Sequence, residues 1–158
     1  MVMQAGKMTF YRTQDVPIAL LGWAGQKGQV GTPVLIGVAL ENRSEKRLYL
    51  DIAQPPYGLV DEPHMPLKIE VWQGEQLFPY RGPIVKRPVL TDADLVLIYP
   101  GGMAGLFFEL DQLGYRLSAG QYRVVLWYDS TGMHGSWVKT KRLWRGRTSK
   151  LEIPIEII

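Results

Sequence analysis

Few side chains in this sequence could act as an acid, a base or a soft metal ligand near neutral pH. There are two histidines, His64 and His134, and no cysteine. Thiol catalysis, disulfides and thiolate metal sites are therefore excluded. Either histidine could join Ser130, Ser136 or Asp61 in a nucleophile–histidine–acid triad, but no strand-to-helix nucleophile elbow selects among them. The sequence predicts a protein that is not an enzyme.

Metal and cofactor sites have equally little support. Asp61 and Glu62 beside His64, and the pair Asp92 and Asp94, lack the regular spacing of a ligand set. None of the glycine pairs stands between a strand and a helix, which is where a phosphate-binding loop requires them. We expect no metal, no nucleotide and no cofactor.

The strongest charge feature is a basic segment at residues 139–150. It holds six basic and no acidic residues, whereas the rest of the chain has fifteen acidic residues against twelve basic ones. The formal net charge of +3 therefore comes from this segment. Such a concentration of charge would attract an anionic partner.

Two tryptophans accompany these charges, and together they form the predicted partner-binding set. Flat indole rings beside guanidinium groups are typical anchors for an acidic protein face, an anionic glycan or a nucleic acid. An alternative is that the charges protect an exposed strand edge from pairing with other chains. The predicted set is Trp137, Lys139, Lys141, Arg142, Trp144, Arg145 and Arg147.

Alternating apolar side chains predict strands along most of the chain. Val34 to Leu40 and Leu48 to Ile52 each alternate with period two, and the polar turn at residues 41–46 between them predicts an antiparallel hairpin. Further strands are predicted within 67–71, 77–80, 84–87, 95–99, 106–110, 124–128 and 151–157. No helical stripe exceeds about two turns.

Three local signals refine this pattern. Gly74 between two strand patterns predicts a hairpin turn. Tyr122, just inside a strand and shortly after Leu117 and Gly120, has the pattern of a tyrosine corner, in which the hydroxyl bonds to backbone a few residues upstream. Pro154 places the last strand at a sheet edge or beside a bulge, because proline donates no ladder hydrogen bond.

The predicted fold is all-β, an immunoglobulin-like antiparallel β-sandwich of seven to nine strands. At 158 residues the chain fits a single domain, 1–158, with residues 1–30 as an N-terminal extension packing on it. Long loops are expected at 53–66, 80–94 and 129–137.

Localisation is not determined by the sequence. The apolar stretch 16–24 imitates a secretory signal, but Asp15 and Pro17 favour a folded strand. No apolar run is long enough to span a bilayer. We expect a soluble protein, extracytoplasmic if a signal peptide was removed and otherwise cytoplasmic.

The central part of the chain carries an ordered series of motifs. They are Val38-x-Leu40-x-Asn42, Leu48-x-Leu50, Tyr80-x-Gly82-Pro83-x-x-Lys86-Arg87-Pro88, Asp94-Leu95 before Pro100-Gly101-Gly102, Phe108-x-Leu110-Asp111 and Tyr115-x-Leu117-x-x-Gly120-x-Tyr122-x-Val124. Over residues 33–128 this order resembles the immunoglobulin-like domain that precedes the catalytic domain of deuterolysin-type (aspzincin) metalloendopeptidases, including the peptidyl-Lys-specific group, and similar stand-alone bacterial domains.

The resemblance implies a β-sandwich that chaperones, inhibits or positions another protein domain. It does not imply proteolysis, because the catalytic half of that family needs two histidines one helical turn apart with a glutamate between them, and neither His64 nor His134 has such a neighbourhood. We therefore expect a non-enzymatic protein-binding module whose partner is a protease or another secreted enzyme. The alternative is a lectin-like module that binds an anionic glycan or envelope polymer.

Overall fold

The computed structural model describes residues 8–25, 27–52, 55–56, 65–83, 92–133 and 143–158. Eleven strands lie in this part of the chain, more than the seven to nine predicted, because several short ones have only two or three residues. Two short 3₁₀ helices, Asp92–Asp94 and Leu110–Leu113, are the helical elements described. The strands are β1 (Met8–Arg12), β2 (Ile18–Gly25), β3 (Lys27–Gly28), β4 (Leu35–Asn42), β5 (Leu48–Leu50), β6 (Leu67–Gln73), β7 (Gln76–Phe78), β8 (Val96–Ile98), β9 (Met103–Glu109), β10 (Gly120–Tyr128) and β11 (Leu151–Ile157).

The strands form two main sheets and a small third one. The four-stranded sheet has the order β1-β2-β4-β9 and is antiparallel throughout. The five-stranded sheet has the order β3-β11-β10-β6-β7, with β3 and β11 parallel and the other pairs antiparallel. Strands β5 and β8 pair separately. The predicted all-β sandwich class is confirmed.

One apolar core joins the two main sheets. Val38, Leu50, Phe108 and Leu126, which come from four different strands, belong to the same buried cluster. At Gly22 the sheets are so close that a Cβ atom would lie 2.8 Å from a methyl group of Leu151 in the opposite sheet. Burying such large apolar side chains contributes about 1.5 to 3 kcal/mol each, so the alternation of the strands is the main source of the fold's stability.

The predicted hairpin between residues 34 and 52 is wrong. Strand β4 pairs with β2 on one side and β9 on the other, so both of its edges are occupied, while β5 pairs with β8. The buried Asn42 redirects the chain between β4 and β5. Its side-chain amide donates to the carbonyls of Lys46 and Ile98, at 2.7 and 2.9 Å, and so ties the turn to β8.

Among the described residues of the predicted extension, β1 and β2 are strands of the four-stranded sheet and β3 pairs with β11 in the five-stranded sheet, so they are not an extension laid over the sandwich. The physical reason is that Ile18 and Leu20 on β2 are buried in the common core, so β2 supplies part of one layer. Residues before β2 are also tied to the end of the chain, since Ser149 donates from its amide and its hydroxyl to the Asp15 carboxylate, at 2.8 and 2.7 Å.

Local predictions for β6, β7 and β10 are confirmed. Strands β6 and β7 form a hairpin whose turn glycine, Gly74, has φ of +58°, a conformation that favours glycine. The buried Tyr122 donates its hydroxyl proton to the Ser118 carbonyl at 2.8 Å, four residues upstream, as a tyrosine corner requires.

Two further strand predictions have mixed outcomes. In β8, which lies within the predicted strand 95–99, the buried residue is Ile98, and the Tyr99 that follows is exposed. Ile98 is the register partner of Leu48 on β5. Pro154 lies opposite Arg123 of β10, and β3 pairs with β11 only beyond it, at residues 156–157. Among the described strands, that stretch of β11 is therefore a sheet edge, as predicted. The predicted strand 84–87 lies outside the described residues.

Across the described parts of the chain, no helix is both long enough and apolar enough to cross a membrane.

Candidate functional site

Three aromatic side chains cross the outward face of the four-stranded sheet. The strand register places Phe10 opposite Trp23, Trp23 opposite Gly37, and Gly37 opposite Phe107. The ring centroids of Phe10 and Trp23 are 5.3 Å apart and nearly parallel, and those of Trp23 and Phe107 are 5.3 Å apart and edge-to-face. We call Phe10, Trp23 and Phe107, together with Gly37, the aromatic row.

Glycine at position 37 makes the aromatic row possible. A Cβ atom on Gly37 would lie 2.1 Å from the Trp23 indole, so the indole lies directly over the backbone of β4. An aromatic ring that covers a strand glycine recovers the packing that the missing side chain would have provided. The Trp23 ring is thereby held between two neighbouring rings in a fixed position.

The aromatic row lies in a broad apolar surface. Phe10 is 64% exposed and Phe107 is 56% exposed, and Leu35 and Met103 on the same outward face are also exposed. At one end of this face Glu41 is paired with Arg12 and lies 3.8 Å from the Arg43 guanidinium. Contiguous exposed apolar side chains with a charged rim are typical of interaction surfaces.

The outward face of the five-stranded sheet has the opposite character. Its two tryptophans are covered by cations: Arg123 lies over the Trp72 ring and Lys150 over the Trp127 ring, 5.6 and 4.4 Å from the ring centroids. Arg123 also pairs with Glu152 at 3.0 Å. These rings are already engaged, so the two faces differ in how much free apolar surface they offer.

Two cavities lie beside residues 115–117, at the loop end of the sandwich. Their volumes are about 430 and 560 Å³, and Arg116 lines both. Burial raises the pKa of Tyr115, between them, to about 12, with a further contribution from Tyr80 and Glu70. Tyr115 therefore keeps its proton at neutral pH and is not a candidate base.

The predicted basic site is only partly within the described residues. Trp137, Lys139, Lys141 and Arg142 lie outside them, and their predicted binding role stays a prediction. Trp144 is half-buried and stacks on the buried Tyr128, with ring centroids 5.8 Å apart. That indole does not stand free as an anchor. It packs at the margin of the core, where the Tyr128 ring stacks on it and the Gly146 backbone lies close to its ring atoms.

The two remaining arginines of the predicted set are exposed. Arg145 donates from Nε to the Met133 carbonyl at 3.4 Å, and Arg147 forms an ion pair with Asp129 at 3.4 Å. An exposed pair of this kind contributes little to stability. Both guanidinium groups are thus accessible. They lie in the segment between β10 and β11, two strands of the five-stranded sheet, whereas the aromatic row belongs to the four-stranded sheet.

The Asp129 carboxylate gives the molecule a testable pH dependence. Burial alone would raise the pKa of Asp129, but hydrogen bonds from the Thr131 hydroxyl and amide, with the attraction of Arg147 and Lys68, lower it below its ordinary value of 3.8. A carboxyl group with a lowered pKa in the folded state stabilises the fold above the pKa of the unfolded chain, and this contribution disappears as the pH falls through the folded-state pKa.

We therefore expect Asp129→Asn to be less stable than the wild type at neutral pH and to approach it in acid. Urea unfolding at about pH 7 and about pH 3 measures the difference in the free energy of unfolding between wild type and variant at each pH. A difference that does not change with pH would contradict this role for Asp129.

Residues considered for catalysis do not assemble a site within the described residues. Ser130 is buried and donates its hydroxyl proton to the Trp144 carbonyl at 2.9 Å, which is a structural contact. His64, His134, Ser136 and Asp61 lie outside the described residues. In the part of the chain that the structure describes, no three metal-ligating side chains of the His, Cys, Asp and Glu types come together.

Comparison with known proteins adds no family assignment. No family model matches the chain, and no curated protein is significantly similar to it. The resemblance to the immunoglobulin-like domain of deuterolysin-type enzymes therefore depends on its motifs alone.

The aromatic row is not recognisable from the sequence alone. Phe107 was recognisable as outward-facing, since it has the opposite parity to the inward Leu106 and Phe108. Phe10 and Trp23 lie within residues 1–30, which the sequence predicts to be an extension. No sequence pattern therefore places them beside Phe107. Trp23 and Gly37 are neighbours only through the register of β2 and β4.

Proposed function

We propose that this chain is a non-catalytic β-sandwich module that binds another protein through the outward face of its four-stranded sheet. The observation that carries the proposal is the exposed aromatic row, flanked by the exposed side chains of Leu35 and Met103. The matching face of the five-stranded sheet, whose tryptophans are covered by cations, supports this choice by contrast.

The chemistry of the surface favours a protein partner over a glycan. Phenylalanine, methionine and leucine side chains offer no hydrogen bonds, and a hydroxyl-rich sugar would lose hydrogen bonds to water against them. Apolar and aromatic side chains of a partner would instead be buried without that cost, as at the centre of protein interfaces. The basic segment 139–150 would attract acidic partners at longer range.

The family resemblance suggests which partner to seek first. The resemblance implies a domain that chaperones, inhibits or positions an enzyme, so a protease or another secreted enzyme is the first partner to seek. We also propose that the sandwich is of the immunoglobulin-like type.

The test is affinity capture from extracts of the source cell with three baits: wild type, Phe10→Ser and Val16→Ser. Both substituted side chains are exposed, at 64 and 68%, but Phe10 belongs to the aromatic row and Val16 does not. We expect one stoichiometric protein on the wild-type and Val16→Ser baits, and at least a tenfold reduction with Phe10→Ser, in the range typical of a central interface residue.

Two outcomes would refute the proposal. Equal capture by all three baits would move binding away from the aromatic row. Retention of the wild type on anionic glycan beads, with no protein partner captured, would replace the proposal by the lectin-like alternative.

A further inference from the structure

Strand β9 is an unprotected sheet edge in the part of the chain that the structure describes. It is the last strand in the order β1-β2-β4-β9, and no described strand pairs with its outer side. Its seven residues, Met103–Glu109, contain no proline and a single charge, at Glu109. Proteins commonly protect an edge of this length with charges, proline or a covering element, because its free backbone groups can pair with another strand.

The backbone hydrogen bonds at both ends of β9 determine which of its groups are free. The Leu110 amide donates to the Val34 carbonyl at 3.0 Å, and the Asn42 amide donates to the Gly102 carbonyl at 3.0 Å. Hydrogen-bonded and non-hydrogen-bonded pairs alternate along an antiparallel ladder. The even-numbered residues from 102 to 110 therefore bond to β4, and the amides and carbonyls of 103, 105 and 107 point outward. The Glu109 carbonyl also points outward, whereas the Glu109 amide donates to the Gln112 side-chain oxygen at 3.2 Å.

We propose that two copies of this chain pair through their β9 edges, antiparallel and with Leu106 at the two-fold axis. In this register Met103 faces the partner's Glu109, and Gly105 faces the partner's Phe107. All four outward-pointing residues of each copy then lie opposite outward-pointing residues of the other copy. With the Glu109 amide retained by Gln112, the pair closes about six backbone hydrogen bonds. In the register shifted by two residues and centred on Gly105, Glu109 of each copy would have no residue of β9 opposite it.

Side chains and charge support the same arrangement. Gly105 is exposed, and the Phe107 ring of a second copy would lie beside it as the Trp23 ring lies over Gly37 within the sheet. Two arginines, Arg12 and Arg43, lie near the end of the sheet where β9 begins, because both contact Glu41, the register partner of Met103. The antiparallel pairing brings Glu109 of each copy towards the arginine-rich end of the other.

The dimer would contain one continuous eight-stranded sheet and would place two aromatic rows on the same face. It goes beyond the proposed binding function, because it depends on the edge of β9 and not on an external partner. Phe10 lies on β1, at the opposite edge of the sheet, and so distinguishes the proposed dimer from the proposed binding function. Phe10→Ser should lose partner binding and still dimerise.

The test is a single engineered cysteine, since the chain has none of its own. Leu106→Cys would face its own copy across a non-hydrogen-bonded pair, where Cα atoms are about 4.5 Å apart, within the range that a disulfide spans. Ala104→Cys is the matched control, on the same strand and the same side. In the proposed register its two sulfurs would lie four residues apart along the strand, about 13 Å.

Under mild oxidation at equal concentration, we expect Leu106→Cys to form at least ten times more disulfide-linked dimer than Ala104→Cys on non-reducing gels. Equal cross-linking of the two variants, or none in either, would overturn the proposed pairing. Circular dichroism of both reduced variants checks that they are folded.

A second pair of variants keeps the proposal testable if Leu106→Cys does not fold. Met103 is exposed, begins β9 and points its amide outward, so Met103→Pro removes a hydrogen-bond donor at a position where proline is tolerated. Met103→Ala removes the same side chain but keeps the donor. By sedimentation equilibrium we expect the dimer dissociation constant of Met103→Pro to exceed that of Met103→Ala about tenfold. Equal constants, or a wild type that stays monomeric throughout, would refute the edge-paired dimer.

Discussion

Gly105→Ala is expected to lower the free energy of unfolding by about 3 kcal/mol, at the upper end of ordinary overpacking penalties. A Cβ atom on Gly105 would lie 2.3 Å from the Val38 carbonyl oxygen and 2.8 Å from the Ala39 Cβ. The first obstruction is backbone of β4, a central strand paired on both sides, so it cannot move without disturbing both ladders. Urea unfolding followed by circular dichroism measures the loss.

The matched control is Gly25→Ala, at the end of β2. A Cβ atom there has no neighbour closer than 3.8 Å. We expect this substitution to be neutral or stabilising by up to about 1 kcal/mol, because alanine reduces the freedom of the unfolded chain. If the two alanine variants unfold at the same urea concentration, the close approach of β4 and β9 at Gly105 does not limit stability.

The second large effect is expected at Asn42, the single asparagine of the chain. Its side-chain amide donates to the Lys46 and Ile98 carbonyls. Its Oδ1 accepts hydrogen bonds from the Ser44 amide and hydroxyl, at 3.0 and 2.7 Å. Asn42→Ala removes all of these hydrogen bonds at a fully buried position. Because the former hydrogen-bond partners of Asn42 cannot all reach water, we expect a loss of about 3 kcal/mol in the free energy of unfolding.

Ser44→Ala tests whether the effect belongs to Asn42 itself. It removes the hydroxyl that bonds to Asn42 and leaves the two carbonyls of Lys46 and Ile98 with their amide donor. We expect a loss of about 1 kcal/mol, because the bond to Asn42 is half-buried while the other two contacts of this hydroxyl, with the Lys46 carbonyl and amide, are exposed to water. Equal losses in the two variants would show that Asn42 contributes only through the turn and not through its link to β8.

Gly105 and Asn42 show which features of this fold follow from the local sequence pattern and which depend on tertiary structure. The alternation around Val38 and Leu40 predicts a strand, and the strand is present. The polar run after Glu41 resembles a hairpin turn equally well, and nothing in it indicates that the Asn42 amide bonds to a carbonyl 56 residues later. The predicted pairing of β4 with β5 failed at that point.

The same division applies to the candidate sites. The basic segment is visible in the sequence because charge density is a property of consecutive residues, yet the packing of Trp144 against Tyr128 is not. The aromatic row is distributed over β1, β2, β4 and β9, whose order in the sheet differs from their order in the chain. A surface of this kind exists only after long-range pairing is complete.

By itself, the sequence determined the all-β class, the inward rows of most strands, the turn at Gly74 and the corner at Tyr122, since each depends on residues close together in the chain. Only the tertiary structure decided which strands are neighbours, that β1 and β2 belong to a sheet, and that three aromatic rings meet across it. The reason is physical. Periodicity specifies which face of a strand is buried, whereas the choice of partner depends on the packing of the whole core.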